Sequence, residues 1–103
     1  MIRHIVFFSA KDPQHLADIE KGLWLLGQIP DSLHFEVVRN SKRDGLSQEI
    51  DLVVYAEFAD YDALERYKQH ANYQESIRLV RPLREMRLAV DFEAHGQASR
   101  KAV

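Results

Sequence analysis

The sequence predicts an α+β fold in which strand, helix, strand, strand, helix and strand follow one another in a single domain of 103 residues. Three observations lead there. β-Branched and aromatic residues gather in four short runs, two other stretches carry apolar residues at three-and-four spacing, and capping or turn residues mark each change of period.

Residues 2 to 9 open the chain as a strand, and Asp12-Pro13 then supplies a helix cap followed by a favourable first-turn proline. From Gln14 to Gln28 a helix is expected, with Leu16, Ile19, Leu23, Leu26 and Gly27 as its apolar stripe. Gly22 and Gly27 within it read as positions of close packing on the sheet. Ile29-Pro30 ends that helix, because the residue before a proline avoids the helical region. Leu33 to Val38 forms the second strand, and Arg39 to Gln48, with Asp44-Gly45 at its most turn-like point, forms a mobile loop. Residues 50 to 58 are the clearest strand, and Asp60 caps the second helix. That helix carries Leu64, Tyr67 and Ala71 on one stripe and ends in Tyr67, His70 and Tyr73. The pattern breaks near Ala71-Asn72, restarts from Ser76 to Arg81 and stops at Pro82. Leu83 to Glu93 is the last strand. Residues 1–95 make the domain and residues 96–103 a polar tail.

This order is the split βαβ unit of ferredoxin-like folds, with a four-stranded antiparallel sheet under two helices. Such a sheet should alternate apolar and polar residues, one face covered and one wet. Here alternation fails. His4, Val6 and Phe8 share one face of the first strand with Ile5 and Phe7 on the other, and Leu52, Val54, Ala56 and Phe58 are opposed by Val53 and Tyr55. A sheet apolar on both faces needs a second cover, and a homodimer packing sheet on sheet supplies it.

Composition excludes several classes. With 14 basic against 16 acidic residues and a formal net charge of -2, the chain lacks the footprint of a nucleic-acid or anionic-membrane partner. There is no cysteine, which removes disulfides, thiol catalysis and thiolate metal sites. The opening apolar run is too short for a signal peptide or a membrane span, so a cytoplasmic protein is expected. The five histidines show no His-x-His or His-x-x-x-His pair, and no glycine-rich phosphate loop occurs; neither metal nor cofactor is expected.

Arg3-His4-Ile5-Val6, Ile29-Pro30, Asp51-Leu52-Val53 leading to Phe58, Tyr67-x-x-His70, and Val90-Asp91-Phe92 stand in an order and spacing that resemble the stress-responsive A/B barrel family, the Dabb domains. The resemblance covers residues 1 to 93 and implies a dimeric α+β barrel. It includes plant stress proteins without assigned catalysis and a polyketide cyclase that closes an aromatic ring by aldol condensation. In the cyclase the helix carries Tyr-x-x-His-Pro-x-His, whose tyrosine and final histidine are the catalytic pair. The present chain keeps Tyr67 and His70 but has Ala71 for the proline and Tyr73 for the final histidine. A phenol in place of an imidazole removes the natural base, so the cyclase pair is incomplete.

His4, Tyr67, His70, Tyr73 and Asp91 are the candidate polar lining of a cleft that takes a small apolar or aromatic molecule. Each has a plainer reading. His4 is a core histidine satisfied by a carboxylate or carbonyl. His70 is a cation at a helix end. The two tyrosines are core residues with a wet tip. Asp91 either orients His4 or pairs with Arg87, the ion pair being the simpler expectation. Arg78, Arg81, Arg84 and Arg87 recur at every third position, but Pro82 divides them between helix and strand and favours a solvated or dimer-edge role. Three functions follow: a binding protein without chemistry, a cyclase, isomerase or monooxygenase-type enzyme with His4 or His70 as base, or a stress-associated protein with a closed pocket.

Overall fold

The computed structural model describes residues 1–95; the polar tail expected from Gly96 onward lies outside them. Strands β1 (Ile2–Ala10), β2 (His34–Arg39), β3 (Leu52–Phe58) and β4 (Arg84–Glu93) form one antiparallel sheet in the order β2-β3-β1-β4. Helices α1 (Leu16–Trp24), α2 (Tyr61–Gln69) and α3 (Ala71–Val80) cover one face. This is the ferredoxin-like arrangement, with the second helix in two pieces.

Local chemistry explains most boundaries. Asp12 accepts a hydrogen bond from the Gln14 amide at 3.0 Å, and Pro13 opens a 3-10 turn that leads into α1. The first helix does not run unbroken to Gln28 as expected; it tightens to a 3-10 turn over Leu25–Gln28. Asp60 caps α2 by accepting from the Ala63 amide at 2.8 Å. The second helix breaks at His70, whose backbone is extended, and α3 begins at Ala71 rather than Ser76. Tyr73 therefore stands in the first turn of a new helix and not at the end of the old one.

The core lies between helices and sheet. Val6, Phe8, Leu52, Val54, Ala56 and Phe58 meet Ile19, Leu23, Leu64 and Tyr67, all buried. The two helix glycines divide their roles. A Cβ on Gly22 would stand 2.9 Å from Val80 Cγ2, so Gly22 permits close approach to α3 and not to the sheet, whereas a Cβ on Gly27 would stand 2.9 Å from the ring of Phe35 on β2.

Among the described residues nothing covers the opposite face of the sheet. Ile5, Phe7, Val53 and Tyr55 are half-buried there, and Val38, Leu88, Val90 and Phe92 are exposed. Cross-strand pairing makes them one patch, since Phe7 sits between Val53 and Leu88, and Ile5 between Tyr55 and Val90. The loop from Asn40 to Ile50 is exposed but braced: the Asn40 amide donates to the Ser47 and Ile50 carbonyls at 3.0 and 2.8 Å. Among the described residues no helix is long and apolar enough to cross a membrane.

Candidate functional site

β1 places alternate side chains on opposite faces, so His4, Val6 and Phe8 point under the helices while Ile5 and Phe7 point away. Beneath α2 and α3 these residues floor a cavity of about 330 Å³, whose apolar wall continues through Val54, Leu23, Leu26 and Val80. Tyr67, Tyr73, Lys68, Ser76 and Ile77 approach from the helices, and Arg81, Arg84 and Arg87 complete the lining. β4 is an edge strand, nowhere fully buried, and the cavity lies beside it.

His4 and Asp91 stand directly opposite one another in the β1–β4 ladder, and His4 Nδ1 hydrogen-bonds the Asp91 carboxylate. The expected Asp91–Arg87 ion pair does not form. Four residues of strand separate the two by roughly 13 Å, too far for contact, whereas the cross-strand neighbour is within reach. A carboxylate partner fixes the proton on Nδ1 and leaves Nε2 as the lone-pair nitrogen when the ring is neutral. Nε2 has no hydrogen-bond partner among the described residues. Burial pushes the His4 pKa below 6.5 against the opposing pull of Asp91, and Lys68 and Arg87 add to the lowering. The imidazole is accordingly held neutral near pH 7.

Tyr67 is fully buried, edge-to-face with Phe58, Tyr73 and His4 at ring-centroid distances of 4.9, 5.4 and 6.1 Å. Its hydroxyl is buried without a hydrogen-bond partner among the described residues. Burial, and then the neighbouring Tyr73, push its pKa well up, so it stays a protonated donor. Tyr73 is half-buried at the cavity, and Arg87 Nη2 donates to its hydroxyl at 3.4 Å.

His70 is not brought to the cavity. Its Nδ1 accepts from the Asn72 amide at 3.0 Å and caps α3, while the Asn72 side chain donates to the Leu25 carbonyl at 3.1 Å. His70 does occupy a helix end, as expected, being at once the C-cap of α2 and the N-cap of α3. Of the five candidates, His4, Tyr67 and Tyr73 line the cavity, Asp91 adjoins it through His4, and His70 holds the helix break.

The arginines are where sequence reasoning missed most. Arg78 turns outward onto Glu75, with contacts of 2.8 and 2.6 Å, but Arg81, Arg84 and Arg87 converge on the cavity. Two devices do this. The chain reverses after Arg81, and a bulge in β4 shifts the ladder between Phe8↔Arg87 and Ala10↔Arg84, giving β4 one residue more than β1. Without that extra residue Arg84, three from Arg87, would point to the other face. Met86 N donates to Ser9 Oγ at 3.0 Å within the bulge. Burial and the nearby Arg87 and Arg81 lower the Arg84 pKa. The three-residue spacing was the available signal; its obstacle was the assumption of regular elements. Among the described residues no three His, Asp or Glu side chains gather as a metal site.

Solved structures share this fold. A Dabb-family protein with a ferredoxin-like fold from Mesorhizobium loti is 28% identical with a TM-score of 0.75, over 92% of this chain and 97% of that one. A dimeric ferredoxin-like protein of unknown function from Thermobifida fusca is 23% identical with a TM-score of 0.76, over 90% of each chain. A protein from Arabidopsis thaliana is 19% identical with a TM-score of 0.77, over 92% of this chain and 96% of that one. Comparison with curated proteins gives no match. The model of the stress-responsive A/B barrel domain matches residues 2–94, nearly the whole described fold, and the chain belongs to that family, Dabb.

Proposed function

We propose that the protein is a homodimer that binds a small, largely apolar or aromatic molecule in the cavity between α2, α3 and the sheet. The observation that carries this reading is the cavity itself. Its volume of about 330 Å³ falls at the lower end of ligand-pocket sizes, about 300–1,000 Å³. Its floor is apolar, and a few polar groups converge on it. The open sheet face supports the dimer: its contiguous apolar patch would be covered by the same patch of a second copy. The dimeric Thermobifida fusca relative agrees with that assembly.

Saturation-transfer NMR with 2-naphthylmethanol tests the binding. Wild type should show transfer to the ring protons, and Ile77→Trp, which adds an indole to the half-buried cavity wall, should abolish it. Equal transfer with both proteins would remove the cavity from consideration.

A second reading, an acid–base enzyme, is favoured by one observation: His4 is held by Asp91 with Nε2 unpartnered among the described residues, beside the protonated Tyr67. In that role Nε2 takes a proton from the carbon next to a carbonyl, and the tyrosine donates a hydrogen bond to the resulting enolate oxygen. Exchange of the α-protons of 2-tetralone in D₂O measures it. Acceleration by wild type and not by His4→Asn supports the reading, and background exchange with both refutes it.

A further inference from the structure

Arg81, Arg84, Arg87 and Lys68 give the cavity a lining that its apolar floor does not require. The chain has 16 acidic residues and a negative net charge, yet among the described residues none of these four cations has a carboxylate within 4 Å. Among the described residues outside the cavity, Arg39, Lys42, Arg66 and Arg78 have one and Arg3, Lys11, Lys21 and Arg43 do not, so what sets the four apart is that they are gathered at one cavity. Like charges gathered at one cavity repel one another, and Arg84 is half-buried there. A bulge is what turns Arg84 to this face at all. Beside them Tyr67 keeps a fully buried hydroxyl with no hydrogen-bond partner among the described residues.

We propose that the ligand is an organic acid: an apolar or aromatic body on the floor of Val6, Phe8, Val54 and Leu26, with a carboxylate seated on Arg84 and Arg87. This rests on the binding reading above and adds the chemical class of the ligand. A planar guanidinium matches the two oxygens of a carboxylate, and a charge-assisted pair beside a low-dielectric wall is stronger than one in open water. Arg81 and Lys68 contribute longer-range attraction from α3's end and from α2. Tyr67 and Tyr73 offer hydroxyls to a second polar atom of the ligand.

Isothermal titration of 2-naphthoate against 2-naphthylmethanol, equal in ring and differing in charge, tests the inference. Wild type should prefer the acid by roughly tenfold to a hundredfold at low ionic strength, with the preference shrinking as salt rises. Arg84→Gln with Arg87→Gln should remove the preference for the acid over the alcohol, and an unchanged far-ultraviolet circular dichroism spectrum shows that the variant folds. If wild type binds acid and alcohol equally, the cavity stands and the acid inference falls. If the double variant binds the alcohol normally and still prefers the acid, the arginines are not the seat and the inference falls as well. If wild type binds neither probe at millimolar concentration, the binding reading fails and carries this one with it. Should the double variant not fold, the wild-type preference and its salt dependence decide alone.

Discussion

Replacing Phe7 by glutamate tests the assembly at its centre. Phe7 is half-buried in the protomer, between Val53 on β3 and Leu88 on β4, in the middle of the uncovered face. In a sheet-on-sheet dimer the remainder of its ring leaves water, worth about 1 kcal/mol at 25 cal/mol per Å². The glutamate would lose that and bring a carboxylate against apolar neighbours, a further cost of about 2–3 kcal/mol even if it partly escapes to water. A two-fold interface contains the position twice. The total is about 6–8 kcal/mol, or roughly 10⁴- to 10⁶-fold in the dimer dissociation constant. Sedimentation velocity at about 10 µM should show wild type as a dimer and Phe7→Glu as a monomer. Leu46→Glu, at a loop position 91% exposed, should remain dimeric. A monomeric wild type at that concentration would refute the covered-face argument, and a dimeric Phe7→Glu would move the interface elsewhere.

Asn40→Ala should lower stability by about 1–3 kcal/mol in urea unfolding, because its amide satisfies two carbonyls and its oxygen accepts from the Lys42 amide at 3.0 Å; an unchanged midpoint would show that the brace carries nothing. Gly22→Ala should cost about 1–3 kcal/mol by overpacking against Val80 despite alanine's better helix propensity, and a gain in melting temperature would disprove the close approach. Because the native pKa of His4 lies below its ordinary 6.5, the unfolded chain takes up this proton first as pH falls. The stability it represents is complete above about pH 6.5 and is lost on the way down, by up to about 1.4 kcal/mol per pH unit between the two pKa values. Wild type should thus lose more stability than His4→Asn between pH 7 and pH 5 at one fixed protein concentration; parallel curves would contradict a depressed pKa.

How much was legible depended on whether the signal was local. The four strands appear within about two residues of their expected bounds because alternation and apolar runs are properties of the strand itself. Asp12 and Asp60 cap where expected for the same reason. The break falls one residue from where it is expected, but the restart, expected at Ser76, comes at Ala71. At the break the His70 side chain caps α3 and the Asn72 side chain donates to the Leu25 carbonyl at the end of α1, a non-local contact that the sequence pattern does not carry. Asp91 was assigned to Arg87 through proximity in sequence, whereas its partner is 87 residues away and is chosen by the β1–β4 register. Site residues are legible as types in a sequence, but their pairing is a property of the ladder.

The same register explains why one strand serves two surfaces. Even-numbered residues of β1 face the cavity and odd-numbered ones face the open side, so His4 and Phe8 are interleaved with Ile5 and Phe7 on a single stretch of backbone. β4 extends the arrangement. It brings Arg87 to the cavity, Asp91 to His4 beside it, and Leu88, Val90 and Phe92 to the open face, while pairing among the described residues with β1 alone. A one-residue slip of β4 would exchange every one of these assignments, placing Leu88 and Val90 in the cavity and two charges on the apolar patch. The bulge confines such a change to one point, where the extra residue turns Arg84 inward without disturbing the pairing from Arg87 to Glu93. Covering the open face by a second copy would bury Leu88, Val90 and Phe92 only in this register. The apolar face that a second copy would cover and the position of Asp91 and Arg87 are therefore two consequences of one alignment, and a substitution that loosens β4 on either face acts on both.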